Sequence, residues 1–226
     1  MKRILRNLTR FEKILWLCSV VIIVAGFLVV RSDEWLTLVA SLVGVTALIY
    51  VAKGHVVGQI LTIIFSIIYA FISYKLRYFG EMITYVGMTA PIALLSVITW
   101  IRNPYNENEV KISHVSKKTW LYLVLATMVV TFIFYFILDA FNTANMLFST
   151  ISIATSFGAS SFTMLRSPYY AVVYAANDVV LIVLWVMAFM LDTSYLPMIV
   201  CFVIFFINDI YGFHNWKVMR RNQEKA

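Results

Sequence analysis

The chain reads as an all-α polytopic membrane protein of eight spanning helices: an N-terminal helix, then a core of three helices, one linker helix and three helices. Three observations lead there. Of the 226 residues, 62% are hydrophobic and 13% charged, whereas a soluble domain is about 45–50% apolar and about 25% charged. The apolar residues gather in eight runs, 14–30, 35–51, 56–74, 82–101, 119–138, 144–165, 169–190 and 195–216, each near the roughly 20 residues that a bilayer-spanning helix needs. With both termini cytoplasmic, only Arg31, Lys75 and Arg77 of the 18 Lys and Arg fall outside, which is the bias expected when cations stay on the cytoplasmic side. Within hydrocarbon only helices and closed barrels satisfy the backbone, and these runs are too long for barrel strands.

Run 14–30 follows Lys2, Arg3, Arg6 and Arg10 and resembles a secretory signal. It has no small-x-small cleavage pattern, and Leu17 before Cys18 does not suit a lipoprotein signal, so it is expected to stay as a spanning helix. Run 56–74 carries Gln59, Thr62, Ser66, Tyr69 and Ser73 within one helical face. That face is either a cavity wall or a helix-packing surface, since Ser and Thr serve both. In run 82–101, Pro91 removes a backbone donor and Gly87 lies one turn earlier, so a kink or hinge is expected there, with Pro91 a gating candidate. Glu81 stands at the N-terminus of that helix, where a carboxylate is favoured.

The segment 102–118 is the longest polar stretch, which leaves no room for a soluble catalytic domain, so the whole of 1–226 is expected to form one transmembrane domain. Run 119–138 is the linker helix. Run 144–165 bears a stripe of Ser149, Ser152, Ser156, Ser160 and Thr163, residues small enough for close helix packing. Segments 35–101 and 144–216 each make three helices and end in an aromatic followed by cations, VITWIRNP and FHNWKVMRR. One intervening helix gives both triplets the same orientation, hence a parallel pseudo-repeat with its axis along the membrane normal. SWEET-type transporters share this 3+1+3 plan and bind substrate at the repeat interface.

The last two helices each carry an Asn-Asp pair, Asn177-Asp178 and Asn208-Asp209. A central Asp costs about 2.5–3.5 kcal/mol on insertion scales, while an interhelical hydrogen bond returns only about 0.6 kcal/mol on average. Function is the better reason for two such pairs. Consecutive residues point about 100 degrees apart, so amide and carboxylate of one pair face different ways. Aromatics share the amide faces: Tyr170, Tyr174 and Trp185 with Asn177, and Tyr211 and Trp216 with Asn208. We therefore expect the amides to face ligand and Asp178 and Asp209 to flank the pathway, with ion coupling through either left open.

Cys18 and Cys201 lie inside apolar runs and read as small apolar residues. His55, His114 and His214 lie at helix ends or in a loop, so no metal site or cofactor is expected. P-loop, GxSxG and HExxH patterns are absent from the sequence, which argues against an enzyme. The net charge of +7 is accounted for by the helix flanks, not by nucleic-acid binding.

Three stretches carry a resemblance to the nicotinamide riboside transporter family, PnuC: NTANMLFSTISIATSF (142–157), RSPYYAVVYAAND…LW (166–185) and NDIYGFHNW (208–216). The last is similar to the family's Asn-x-x-Tyr-Gly-x-x-x-Trp pattern, through Asn208, Tyr211, Gly212 and Trp216. The resemblance covers essentially the whole chain. It implies a SWEET-like fold, a homotrimer in the bacterial inner membrane, and facilitated diffusion of the riboside, which a cytoplasmic kinase traps by phosphorylation. In the family a Trp often lies one turn before the amide of the sixth core helix; Tyr170 and Tyr174 stand there instead. Relatives of this fold carry thiamine or riboflavin, which are the alternative substrates. A vitamin-binding subunit that needs an energy-coupling partner is the alternative in kind.

The chemistry suits the residues. The riboside is a flat pyridinium cation with a carboxamide and a ribose. Aromatic faces attract the cation, amides pair with carboxamide and hydroxyls, and carboxylates concentrate cations. The expected contacts are Asn177, Asn208, Tyr211 and Trp216, with Gln59, Ser66, Tyr69, Tyr170, Tyr174 and Trp185 lining the same cavity.

Overall fold

A computed structural model of the protein describes residues 8–30, 35–75, 78–143 and 145–226. Of the charges used for orientation, Lys2, Arg3, Arg6, Arg31 and Arg77 lie outside the described residues. The helices are α1 (Arg10–Val30), α2 (Trp35–Ala52), α3 (Val56–Lys75), α4 (Phe79–Arg102), α5 (Lys117–Ala140), α6 (Met146–Met164), α7 (Tyr169–Phe189) and α8 (Leu196–Lys225). Among the described residues the one β-type pairing is an isolated bridge between Pro104 and Val110. By length and composition, seven of these helices could cross a membrane. The expected eighth, α6, is a helix of 19 residues, but its serines and threonines hold it below the hydropathy of the others. Helical backbone also runs past the apolar stretches, most at α8, which continues through the basic tail to Lys225.

Six helices close a ring in which α2 packs on α3, α3 on α4, α4 on α6, α6 on α7, α7 on α8, and α8 back on α2. Helix α5 lies outside against α6, and only Leu123 and Leu138 of its residues are buried. Helix α1 lies outside against α2 and α8. Its start is fixed by a capping box: Thr9 N–H donates to Glu12 Oε2 (2.6 Å) and Glu12 N–H to Thr9 Oγ1 (3.2 Å), which satisfies two orphan donors reciprocally. Glu12 also meets Lys53 Nζ at 3.2 Å and accepts from Tyr211 Oη at 3.0 Å, so the same carboxylate docks α1 to the ring.

Helix α4 contains a π-helical turn at Tyr85–Thr89, where Ala90 N–H reaches back to Tyr85 O. The turn lies just ahead of Pro91, whose ring cannot sit against an ordinary preceding turn. It carries Tyr85 and Thr89 to the inside of the ring. Pro91 itself is exposed.

The segment between α4 and α5 forms a strap across one end of the ring. Val110 N–H donates to Gly54 O and Ser113 N–H to Arg166 O, both at 3.0 Å. Gln223 of α8 clamps it, donating to Val110 O (3.1 Å) and accepting from Ile112 N–H (2.8 Å).

Candidate functional site

The ring encloses a cavity of about 60 Å³ that touches five helices. From α2 come Gly44, Ala47, Leu48 and Val51; from α3, Gln59, Thr62 and Phe65; from the π-turn of α4, Tyr85 and Thr89. From α7 come Tyr170, Tyr174, Asn177 and Asp178; from α8, Phe202, Phe205 and Asp209. The residues of α7 recur at helical spacing on one face, as do Phe202, Phe205 and Asp209 on α8. Lys, Arg and His are absent from the described lining.

Polar groups are held from behind. Asn177 Oδ1 faces three α6 hydroxyls, Thr155 Oγ1 at 2.8 Å, Ser156 Oγ at 3.1 Å and Ser152 Oγ at 3.3 Å. With its carbonyl so engaged, the carboxamide turns its NH2 to the cavity. Ser152 Oγ also lies 3.4 Å from Glu81 Oε1, so the buried Glu81 reaches the cavity wall through Ser152. Tyr174 Oη is 3.0 Å from Ser160 Oγ. The small-residue stripe of α6 therefore packs closely and also positions the polar face of α7. Asp178 and Asp209 both line the cavity, and among the described residues Asp178 Oδ2 has no hydrogen-bond partner.

The remaining walls are mainly apolar, aliphatic on α2 and aromatic elsewhere. Phe65 lies 5.8 Å from Tyr85 and 5.5 Å from Phe205, both edge to face. Tyr170 closes one end, its ring 4.8 Å from Trp216.

Six of the sequence-expected residues therefore line one chamber: Gln59, Tyr170, Tyr174, Asn177, Asp178 and Asp209. The rest lie elsewhere. Asn208 points to α1, donating to Ser19 Oγ (3.2 Å) and to Ile204 O (2.8 Å). Tyr211 also faces α1, with its ring 5.2 Å from Phe11. Trp216 lies beneath the cavity and donates to Val51 O at 2.9 Å. Ser66 Oγ turns back to Thr62 O (2.8 Å). Tyr69 and Trp185 bond to each other, Nε1 to Oη at 3.1 Å, within an aromatic cluster at the end opposite the strap.

The expectation that both amides face inward is thus corrected for α8. Asn208 and Asp209 are about 100 degrees apart, and α1 covers the Asn208 face, so the carboxylate is the inward member. Its signal was present as Phe202, Phe205 and Asp209 at i, i+3 and i+7. The α2 wall had no signal, because Gly44, Ala47, Leu48 and Val51 carry no polar group. Tyr85 and Thr89 depend on the π-turn, which shifts their facing from that of a regular helix.

A family model described as nicotinamide mononucleotide transporter matches residues 34–218. A nicotinamide riboside transporter PnuC from Neisseria mucosa is 26% identical over 221 residues, 95% of this chain and 84% of that protein. The one from Haemophilus influenzae is 22% identical over 216 residues, 92% of this chain and 91% of that protein. A crystal structure of the vitamin B3 transporter PnuC matches with a TM-score of 0.84 at 24% identity, covering 96% of this chain and 94% of that one. At that identity the structural likeness is one of fold.

Proposed function

The chain belongs to the nicotinamide mononucleotide transporter family, and from that premise we propose that it carries nicotinamide riboside across the membrane, by facilitated diffusion. The observation that carries the choice of riboside over mononucleotide is the cavity lining. It holds two carboxyls, two carboxamides and a set of aromatic rings, and no cation among the described residues. A phosphate dianion would be left without Arg or Lys and beside Asp178 and Asp209. A pyridinium ribose meets the reverse: rings that attract a cation, carboxylates that neutralise it, and Asn177 and Gln59 for carboxamide and hydroxyls.

Sites for small molecules enclose roughly 300–1,000 Å³. A cavity of about 60 Å³ has to widen to admit the riboside, so substrate enters and leaves by movement of one half of the ring against the other. On this reading the ring is the SWEET-like core: α2–α4 and α6–α8 are its triplets, α5 the linker and α1 the additional helix, eight spans in all. The π-turn before Pro91 is the place where α4 bends. The strap end, with Lys53, Arg102, Lys111, Lys117, Lys118 and Arg166 around it, is the cytoplasmic one, as are both termini. A cytoplasmic riboside kinase traps the product, and the assembly in the bacterial inner membrane is a homotrimer.

Titration of the purified protein with nicotinamide riboside, its mononucleotide, thiamine and riboflavin tests the substrate. The riboside should bind most tightly and the mononucleotide weakly; preference for the mononucleotide or another vitamin would overturn the assignment. In vesicles, uptake should follow the riboside gradient and ignore imposed pH and sodium gradients. Accumulation that collapses with a protonophore would refute uniport and point to the Asp178–Asp209 pair. Impermeant labelling of Asn222→Cys from the outside would sink the orientation.

A further inference from the structure

At the strap end the same set of contacts occurs twice. Trp100 of α4 donates its indole N–H to Thr163 O (3.0 Å), and Trp216 of α8 donates to Val51 O (2.9 Å). One residue earlier, Thr99 Oγ1 shares its hydrogen between Ser96 O of its own helix (3.0 Å) and Met164 O (3.2 Å), and Asn215 Nδ2 reaches Ala52 O (2.8 Å). The acceptors in the other half are the last two carbonyls of α6 and of α2, positions with no donor inside their own helix. After each pair comes a left-handed residue, Gly54 at φ 67 and Arg166 at φ 57. The turns match bond for bond: Gly54 N–H to Val51 O and Arg166 N–H to Thr163 O, then His55 N–H to Tyr50 O and Ser167 N–H to Phe162 O. The strap completes the pairing by donating to Gly54 O and Arg166 O.

We infer that Thr99, Trp100, Asn215 and Trp216 form a two-fold latch that holds the strap end of the transport pathway shut. All four side-chain bonds run from the last helix of one half to the first helix of the other. Rocking one half against the other therefore breaks them together. The two indoles also meet on the line between the halves, 5.6 Å apart and almost fully buried, directly below Tyr170 and Val51 of the cavity floor. Among the described residues the opposite end has no such pairing. Its bonds between the halves, Trp185 to Tyr69 and Ser152 to Glu81, join side chains to side chains, and the residue in α3 equivalent to Trp185 is Ser73. The latch residues position the closed state and do not touch substrate. This assignment rests on the transport reading only in taking the cavity as the pathway.

The test is thiol accessibility of the cavity wall, which needs no ligand. Thr62→Cys, in a background with Cys18→Ala and Cys201→Ala, is exposed to an impermeant thiol reagent in vesicles of known orientation. With the latch intact, labelling from the strap side should be slow. Trp100→Phe and Trp216→Phe keep the ring and remove the donor. Each should speed strap-side labelling roughly 2- to 12-fold, by similar factors, and together roughly 5- to 150-fold. Thr99→Val, which removes one hydroxyl at nearly constant volume, should give a smaller rise and guards against misfolding of the tryptophan variants. Parent-rate labelling in all three variants would overturn the latch, as would an equal rise from the opposite side. If the riboside fails to bind while labelling responds as expected, the substrate reading falls and the latch stands. If the riboside binds and labelling is unmoved, the latch alone falls.

Discussion

Helices α3 and α7 hold equivalent places in the ring, each starting after a left-handed turn residue, Gly54 or Arg166. Counting along them from those residues, Thr62 stands where Tyr174 does and Phe65 where Asn177 does. All four line the cavity, so the two halves meet it at matching positions with different chemistry. The α7 side offers a carboxamide, a carboxyl and two phenols, braced by α6 hydroxyls. The α3 side offers Gln59, a hydroxyl and a phenyl ring. The turns below remain alike because they satisfy the same orphan carbonyls, a backbone demand that does not depend on the ligand. On the proposed reading, recognition belongs to the half with the polar α7 face and closure to the paired contacts.

The sharpest way to break that comparison is Asn177→Leu. It removes a group facing the ligand and takes the acceptor from the Ser156 hydroxyl, while Ser152 and Thr155 keep Glu81 and helix carbonyls. An unpaired ligand group costs about 1–3 kcal/mol, so riboside affinity should fall roughly 5- to 150-fold by calorimetric titration. Unchanged affinity in a folded protein would take recognition away from α7. Gln59→Leu, on the other wall, should cost about 0.5–1.5 kcal/mol, or roughly 2- to 12-fold. A larger loss than at Asn177 would reverse the assignment of the two walls.

Asn208→Leu separates the two members of the α8 pair. Asn208 bonds to Ser19 and to its own helix, not to the cavity. Its loss should lower thermal stability by about 1–3 kcal/mol and leave Kd within about twofold, because the ligand-facing group survives. A large affinity loss at unchanged stability would return Asn208 to the site.

The smallest effect is a difference between the turns. Val57 N–H donates to His55 Nδ1 at 3.2 Å, whereas Ser167 fills that place in the other half. Burial, and then neighbouring Lys53, hold His55 below its ordinary 6.5. The neutral ring is therefore the folded form. Its contribution is full above pH 6.5 and is lost as pH falls through the lowered value of the folded protein. Below pH 6.5 the wild type should lose Tm relative to His55→Asn, which keeps an acceptor and cannot titrate. Parallel melting curves would show that the two turns respond alike.

The helices and their order were legible in the sequence, because hydrocarbon admits only long apolar helices, although their ends ran past the apolar runs, most at α8. So was most of the inward face of α7, where Tyr170, Tyr174 and Asn177 recur with the period of one helix, although Asp178, expected to point aside from the amide, lines the cavity beside it. Local periodicity says which residues share a face, but not what that face meets. Three facings therefore waited for the tertiary structure. The Asn208 face belongs to α1, which docks through Glu12 from nearly two hundred residues away. Tyr85 and Thr89 turn inward because a π-turn precedes Pro91. Trp216 leaves the site because Val51 O, at the end of α2, has no donor within its own helix and takes the indole N–H beside that of Gly54. A buried donor goes to an acceptor with a lone pair to spare, and packing between distant segments decides which acceptor that is.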